Sequence, residues 1–270
     1  TTIAPTKKDY DPDGKIELPT EPTKPGYKFK EWHDKDGKVV TGDTPIPTDT
    51  QVTYTAVWEA LTITLTWSEN FGSPAKTSET TQTYGPGATI DLTKVTTPTR
   101  AGWTFAGWWS DQTAGTQILD STALPTSETG NTYYAHWTAN VISMTWDCQG
   151  GAPESYTTTQ TFADDAKIAS ASMPSGTPTK DGYSFKEWNT KADATGDKVD
   201  TSTDLPSENV TYYAIWTANT ITMHWDSQGG TSVSDTTKSY KPNDTIVMPG
   251  NDPTRAGYTF LAWRRAPSGG

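Results

Sequence analysis

Apolar residues alternate with polar ones in three short runs of the chain. Ile63, Leu65 and Trp67 alternate with threonines; Ile142, Met144 and Trp146 alternate with Ser143 and Thr145; Ile221, Met223 and Trp225 alternate with Thr222 and His224. A period of two predicts a strand with one buried face. A second set of runs, Tyr54 to Trp58, Tyr133 to Trp137 and Tyr212 to Trp216, places Tyr, Ala and Trp at alternate positions and predicts another strand. Within both sets the tryptophans recur at a step of 79 residues. A third motif, Pro-Thr-(Lys/Arg)-x-Gly-aromatic-x-Phe-x-x-Trp, occurs four times, at Pro22–Trp32, Pro98–Trp108, Pro178–Trp188 and Pro253–Trp263. Its Pro and Gly predict a turn, and its aromatic run predicts a strand.

These periods divide the chain into tandem repeats: unit one over 1–59, unit two over 60–138, unit three over 139–217 and unit four over 218–270. Each full unit reads as a first strand, a polar turn, a threonine-rich second strand, the Pro-Thr turn, a third strand, a variable polar stretch and a closing strand. The polar turns are Asp147–Gly151 and Asp226–Gly230, and the second strands end at Tyr84, Phe162 and Tyr240. The variable stretch holds Leu124-Pro125 or Leu205-Pro206 and has room for one short helix. No helix of 12 or more residues with a 3.6-residue period is visible. Tyr10 to Ile16 matches Tyr84 to Ile90 and Tyr240 to Ile246, so unit one lacks only its first strand. Unit four stops before the Tyr-x-Ala-x-Trp strand. The expectation is an extended array, cut through two of its repeats. Three residues separate units two, three and four, Thr138–Asn140 and Thr217–Asn219, without the Gly and Ser of a flexible linker. Units about 30 Å across would give a rod of about 100 Å.

Composition sharpens this picture. Thirty-five Leu, Ile, Val and Phe among 270 residues, with a net charge of −11, fall in the range of disordered chains. Twelve Trp, twelve Tyr and six Phe contradict disorder, because each large ring buries about 150–250 Å². Fifty-two threonines favour strands. The acidic surplus argues against nucleic acid, whose phosphates demand basic patches. No stretch approaches 18 apolar residues, so no membrane insertion is expected within the chain. No basic-then-apolar leader opens it. Cys148 is the single cysteine, which excludes an internal disulfide framework.

Candidate chemistry is sparse. His33, His136 and His224 sit at unrelated positions of three units, whereas a metal or acid–base site needs convergence. Cys148 aligns with Ser227 and has no evident activating base. Asp193, Asp197 and Asp200 share one loop, and Asp147 and Asp226 precede turns, without the ligand spacing of a calcium loop. Gly150-Gly151 and Gly229-Gly230 lack the helix start and Lys of a phosphate cradle. Leu18-Pro19-Thr20 and Leu124-Pro125-Thr126 lack the Thr-Gly, apolar segment and basic tail of a sortase signal. No cofactor, catalytic residue or metal site is expected. Ten tryptophans belong to the motifs and are expected in cores: Trp32, Trp58, Trp67, Trp108, Trp137, Trp146, Trp188, Trp216, Trp225 and Trp263. Trp103 takes a tyrosine position. Trp109 is left over, and with outward-facing Tyr134 and Tyr213 it makes the candidate ligand-binding surface.

Gly102 to Trp109 and Gly182 to Trp188, each preceded by Pro-Thr, together with the closing runs Tyr133–Trp137 and Tyr212–Trp216, resemble the Listeria–Bacteroides repeat family, which includes the B-repeat of internalins. The resemblance covers essentially the whole chain. It implies a mainly β or small α+β unit of β-grasp-like, ubiquitin-like fold. It also implies a tandem array in a secreted or wall-attached bacterial surface protein, extracellular, Gram-positive and non-enzymatic, serving as a stalk or spacer that presents a distal module. The departures are Trp103, Phe162 and longer threonine-rich loops. Two other readings stand beside the stalk: adhesin repeats for a host or bacterial surface glycan or protein, and accessory repeats of a large secreted glycoside hydrolase. The incomplete ends add a further expectation, head-to-tail self-association in which each end supplies what the other lacks.

Overall fold

A computed structural model describes residues 3–265. Its strands are β1 Tyr27–His33, β2 Val39–Val40, β3 Thr55–Ala60, β4 Thr62–Gly72, β5 Ala75–Thr83, β6 Trp103–Trp109, β7 Asn131–Ala139, β8 Val141–Asp147, β9 Ser155–Thr161, β10 Tyr183–Asn189, β11 Lys198–Val199, β12 Val210–Ala218, β13 Thr220–Met223 and β14 Thr236–Ser239. Two 3-10 turns, Leu92–Lys94 and Ser170–Ser172, are the helical elements among the described residues. The chain divides into two compact units, 1–138 and 139–270, each holding two repeats.

In the first unit, repeat one forms the sheet β2-β1-β3 and repeat two the sheet β5-β4-β7-β6. In the second, repeat three forms β11-β10-β12-β8-β9 and repeat four the hairpin β13-β14. The organising feature of a complete repeat is its centre. The first strand pairs antiparallel with the second and parallel with the closing strand, Trp67 opposite Tyr133 and Trp146 opposite Tyr212. A parallel neighbour requires a long crossover, here the chain from the second strand through the third.

The face on which the first strand's alternating residues point carries the core. Ile63, Leu65, Trp67, Ile90, Trp108, Ile118, Leu124 and Ala135 fill repeat two. Met144, Trp146, Ile168, Trp188, Val199, Leu205, Tyr212 and Ala214 lead repeat three. The Phe and Trp of the third strand stand three apart, which would send them to opposite faces of a regular strand. A bulge between Phe185 and Glu187, and between Phe29 and Glu31, returns them to one face. The rings then meet with centroids 5.3 Å apart in both repeats.

Two expectations need correction. The Leu-Pro stretch holds no helix; the 3-10 turns lie instead between the second and third strands. Pro125 and Pro206 hold the preceding leucines out of the α region. The leucine amides bond across the crossover, Leu124 N–H to Ala88 O at 2.8 Å and Leu205 N–H to Ala166 O at 2.8 Å. Each complete repeat is therefore almost all β, with a three-residue 3-10 turn between its second and third strands. The second correction concerns repeat four, where residues 259–265 form no strand. In repeats one and three the equivalent strand pairs with the closing strand, and repeat four has none among the described residues.

Candidate functional site

The richest cluster of side chains is the aromatic pillar inside repeats two and three. Trp67 and Trp108 meet edge to face at 5.1 Å, and Trp146 and Trp188 at 5.2 Å. The closing-strand tyrosine seals each pair, Tyr133 at 5.0 Å from Trp67 and Tyr212 at 4.9 Å from Trp146. Threonines of the second strand satisfy the buried indoles: Trp67 Nε1–H donates to Thr80 Oγ1 and Trp146 Nε1–H to Thr158 Oγ1, both at 2.8 Å. Thr158 Oγ1 passes its own hydrogen to Ser172 O at 2.6 Å. The threonine-rich strand is thus a source of partners for indole N–H groups that would be costly to bury alone.

Of the ten motif tryptophans, Trp67, Trp108, Trp146 and Trp188 are buried. Trp32, Trp58, Trp137, Trp216, Trp225 and Trp263 are half-buried. Trp137 and Trp216 line the edge of their cores. Each ties the closing strand to the far end of the first, Trp137 Nε1–H to Glu69 O within β4 at 2.8 Å and Trp216 Nε1–H to Cys148 O just past β8 at 2.9 Å.

A second fastening escaped sequence reasoning. Asn70, in the irregular end of β4, and Gln149, in the turn just past β8, have left-handed backbones, φ 57° and 48°. The Asn70 side-chain amide donates to Gln112 O and Ala135 O at 2.8 and 3.1 Å. The Gln149 amide donates to Ala192 O and Ala214 O at 2.9 Å each. One side chain therefore clamps the end of the first strand, or the turn just past it, to the closing strand and to the loop after the third. A carboxamide recurring at the 79-residue step was the available signal.

The surface candidates are each partly covered within their own repeats. Tyr134 and Tyr213 are half-buried. Trp109 lies flat against His136, 4.7 Å between centroids and 6° between planes. His136 Nε2–H donates to Asp111 O at 2.9 Å. The indole N–H of Trp109 is buried without a hydrogen-bond partner. This stack covers one face of Trp109. Sister repeats carry His33 and Asn189 at its position, so the arrangement belongs to repeat two alone.

Several titratable groups named from the sequence have local partners. His33 meets Glu31 at 3.0 Å, and His224 meets Asp235 at 2.6 Å on the surface. Cys148 is fully buried, and its burial, aided by the charge of Asp147, pushes the thiol pKa up; a raised pKa suppresses the nucleophilic thiolate. Asp193 accepts from Thr195 N–H and Oγ1–H at 3.0 and 2.7 Å. Asp200 accepts from the Ser202 hydroxyl and N–H at 2.6 and 2.9 Å and pairs with Lys198 at 3.1 Å. Those donors, the Ser202 hydroxyl first, hold its pKa at about 2. The carboxylates of Asp193 and Asp200 thus serve their own turns. Among the described residues no three His, Cys, Asp or Glu side chains stand close enough to hold a metal ion. Among them, too, no helix is long and apolar enough to cross a membrane.

Comparison with known proteins agrees with the repeat pattern. The sequence profile of the Listeria-Bacteroides repeat domain matches four times, at residues 1–57, 64–136, 143–215 and 222–270. A protein of Evansella cellulosilytica, provisionally named a Gly-rich membrane protein, is 28% identical over 93% of this chain and 28% of its own length. A second from that organism, provisionally named a membrane protein, is 29% identical over 78% of this chain and 29% of its own length. Internalin H of Listeria monocytogenes is 33% identical over 49% of this chain and 22% of its own length. The chain thus spans less than a third of each of these relatives. With four matches in register with its four repeats, the chain belongs to the Listeria-Bacteroides repeat family.

Proposed function

We propose that this chain is a non-catalytic spacer of a bacterial cell-surface protein, a tandem array that carries another module outside the cell. One observation carries the reading. What the two complete repeats share is the closed aromatic core with its fastenings, whereas the groups able to do chemistry are not shared. The pillar appears in repeats two and three with the same geometry. The histidines, the cysteine and the Trp109–His136 stack each belong to a single repeat. Surface location draws support from the kinship with Internalin H and with the relatives named as membrane proteins. The half-burial of Tyr134 and Tyr213, and the stack on Trp109, favour a spacer over a glycan-binding platform.

Single-molecule stretching of the chain tests this directly. Two discrete unfolding events are expected, one for each complete repeat of 79 residues, each releasing about 270 Å of contour. Featureless extension at low force would contradict a load-bearing spacer. Saturable binding of the immobilised chain to a panel of bacterial and host glycans would replace this reading with an adhesin.

A further inference from the structure

The Gly-aromatic turn has a second use beyond reversing the chain. The turn closes through the same hydrogen bond in all four repeats: Tyr27 N–H to Lys24 O, Tyr183 N–H to Lys180 O and Tyr258 N–H to Arg255 O, each at 3.0 Å, and Trp103 N–H to Arg100 O at 3.1 Å. Gly26, Gly182 and Gly257 have φ of 78°, 77° and 78°. Backbone conformation alone therefore asks for glycine equally at all three.

Their surroundings differ. A Cβ on Gly26 would lie 2.2 Å from Cε1 of Tyr84, and a Cβ on Gly182 would lie 2.2 Å from Cδ1 of Tyr240. At Gly257 nothing among the described residues stands within 4 Å. Tyr84 and Tyr240 belong to the following repeat, directly after its second strand. Each ring stands edge to face on the aromatic beside the glycine, Tyr84 on Tyr27 at 5.4 Å and 84°, Tyr240 on Tyr183 at 5.4 Å and 86°. A lysine from the turn also lies against that aromatic, Lys24 Nζ 3.9 Å and Lys180 Nζ 5.1 Å from the ring centre.

The backbone repeats the same pattern. A single residue, Leu61 or Asn219, separates the closing strand of one repeat from the first strand of the next. Leu61 N–H donates to Gly26 O at 3.0 Å, and Leu61 O accepts from Tyr84 N–H at 2.8 Å. Asn219 N–H donates to Gly182 O at 2.9 Å, and Asn219 O accepts from Tyr240 N–H at 2.7 Å. The connecting residue is bonded to the repeat before it and to the repeat after it.

We propose that the Gly-aromatic turn is a socket for the tyrosine that ends the second strand of the following repeat, and that plug and socket lock the one-residue connection so that the two repeats move as one body. The socket requires glycine twice over, for φ and for the room the ring occupies. The lock extends the spacer reading, because a swivelling connection would let each repeat turn independently. Its test does not depend on that reading, since glycan binding and exchange at the connection are separate measurements.

Amide hydrogen exchange on the full chain, read by NMR, decides it. Tyr240→Ala is expected to speed exchange of Asn219 N–H by about tenfold, the scale of one aromatic pair, while Ile221, which faces Lys238 in the adjoining hairpin, reports that repeat four keeps its ladder. Tyr240→Phe keeps the ring and is expected to leave Asn219 protected. Gly182→Ala should release both Asn219 and Tyr240. Gly257→Ala has the same backbone strain and no plug, so it should release only Tyr258 within its own turn. Tyr84→Ala, read at Leu61, repeats the test where the following repeat has a closed core. Protection of Asn219 and Leu61 within a factor of about two of the parent in both Tyr→Ala variants would overturn the lock. So would release of amides outside its own turn by Gly257→Ala.

Discussion

Repeats three and four are nearly the same in their first halves and differ in their second. Both have the alternating first strand, the Asp-x-Gln-Gly-Gly turn and a threonine-rich second strand. Both bring their first-strand and third-segment tryptophans edge to face, at 5.2 Å and 68° in repeat three and 5.1 Å and 62° in repeat four. Both give the first indole N–H to a threonine, Thr158 and Thr236. Burial separates them. Ile142 is 2% exposed and Ile221 44%; Ile168 is 1% exposed and Ile246 62%. The hairpin pairs seven residues in repeat three and four in repeat four. The aromatic contact is therefore local, made by the first strand and the Phe-x-x-Trp segment. Exclusion of water is the work of the closing strand, which lies parallel to the first and covers the pillar.

The clamp residue shows the same division. Gln149 reaches Ala214 on the closing strand and Ala192 beyond the third. Gln228, at the equivalent turn and with the same left-handed backbone, folds back onto its own Asp226 at 2.5 Å. The same side chain is a clamp where a closing strand exists and a surface contact where it does not.

The largest expected effect is at the pillar. Trp146→Ala should destabilise repeat three by about 3–5 kcal/mol, a large part of what a domain of this size has. Trp225→Ala, removing a half-buried ring, should cost far less. Equal losses in denaturant titrations followed by residue-resolved NMR would break the comparison. Trp216→Ala comes next. Its ring is half-buried and its N–H holds Cys148 O, so a loss of about 2–3 kcal/mol is expected, measured the same way. Gln149→Ala removes two hydrogen bonds and should cost about 1–2 kcal/mol, whereas Gln228→Ala should leave the denaturation midpoint unchanged.

The smallest effect is electrostatic and confined to repeat three. The pKa of Asp200 is lowered to about 2 in the folded chain, chiefly by the Ser202 hydroxyl and N–H and then by Lys198. Its unfolded value is near 3.9. The folded form binds its proton less readily, so this group's contribution is present above about pH 4 and disappears as pH falls toward 2. Asp200→Asn should flatten the acid limb of repeat three between those values, checked by the denaturation midpoint against pH. Repeat four lacks this loop and should keep its profile.

Much of the fold was legible in the chain. The alternation of Ile142, Met144 and Trp146 located a strand and its buried face, because a period of two has one physical meaning on a half-buried strand. The Tyr-x-Ala-x-Trp runs located the closing strands in the same way. What stayed hidden depends on contacts between distant segments. The spacing of Phe185 and Trp188 implied a bulge only once both were known to face one core. The place of Gln149 in the clamp and of Tyr240 in the Gly182 socket is fixed by pairing across 65 and 58 residues, which no local pattern encodes. Trp109 looked like a spare exposed ring because the sequence could not show His136 lying flat against it.

Native-state hydrogen exchange of the first strands tests the role of the closing strand most directly. If the closing strand seals each repeat, the β8 amides around Met144 should be protected to the limit set by global unfolding of repeat three, while those of β13 around Met223, at the equivalent ladder position, should exchange orders of magnitude faster despite a similar local sequence. Equal protection in the two strands would contradict that role, because it would show that the first hairpin is stable by itself.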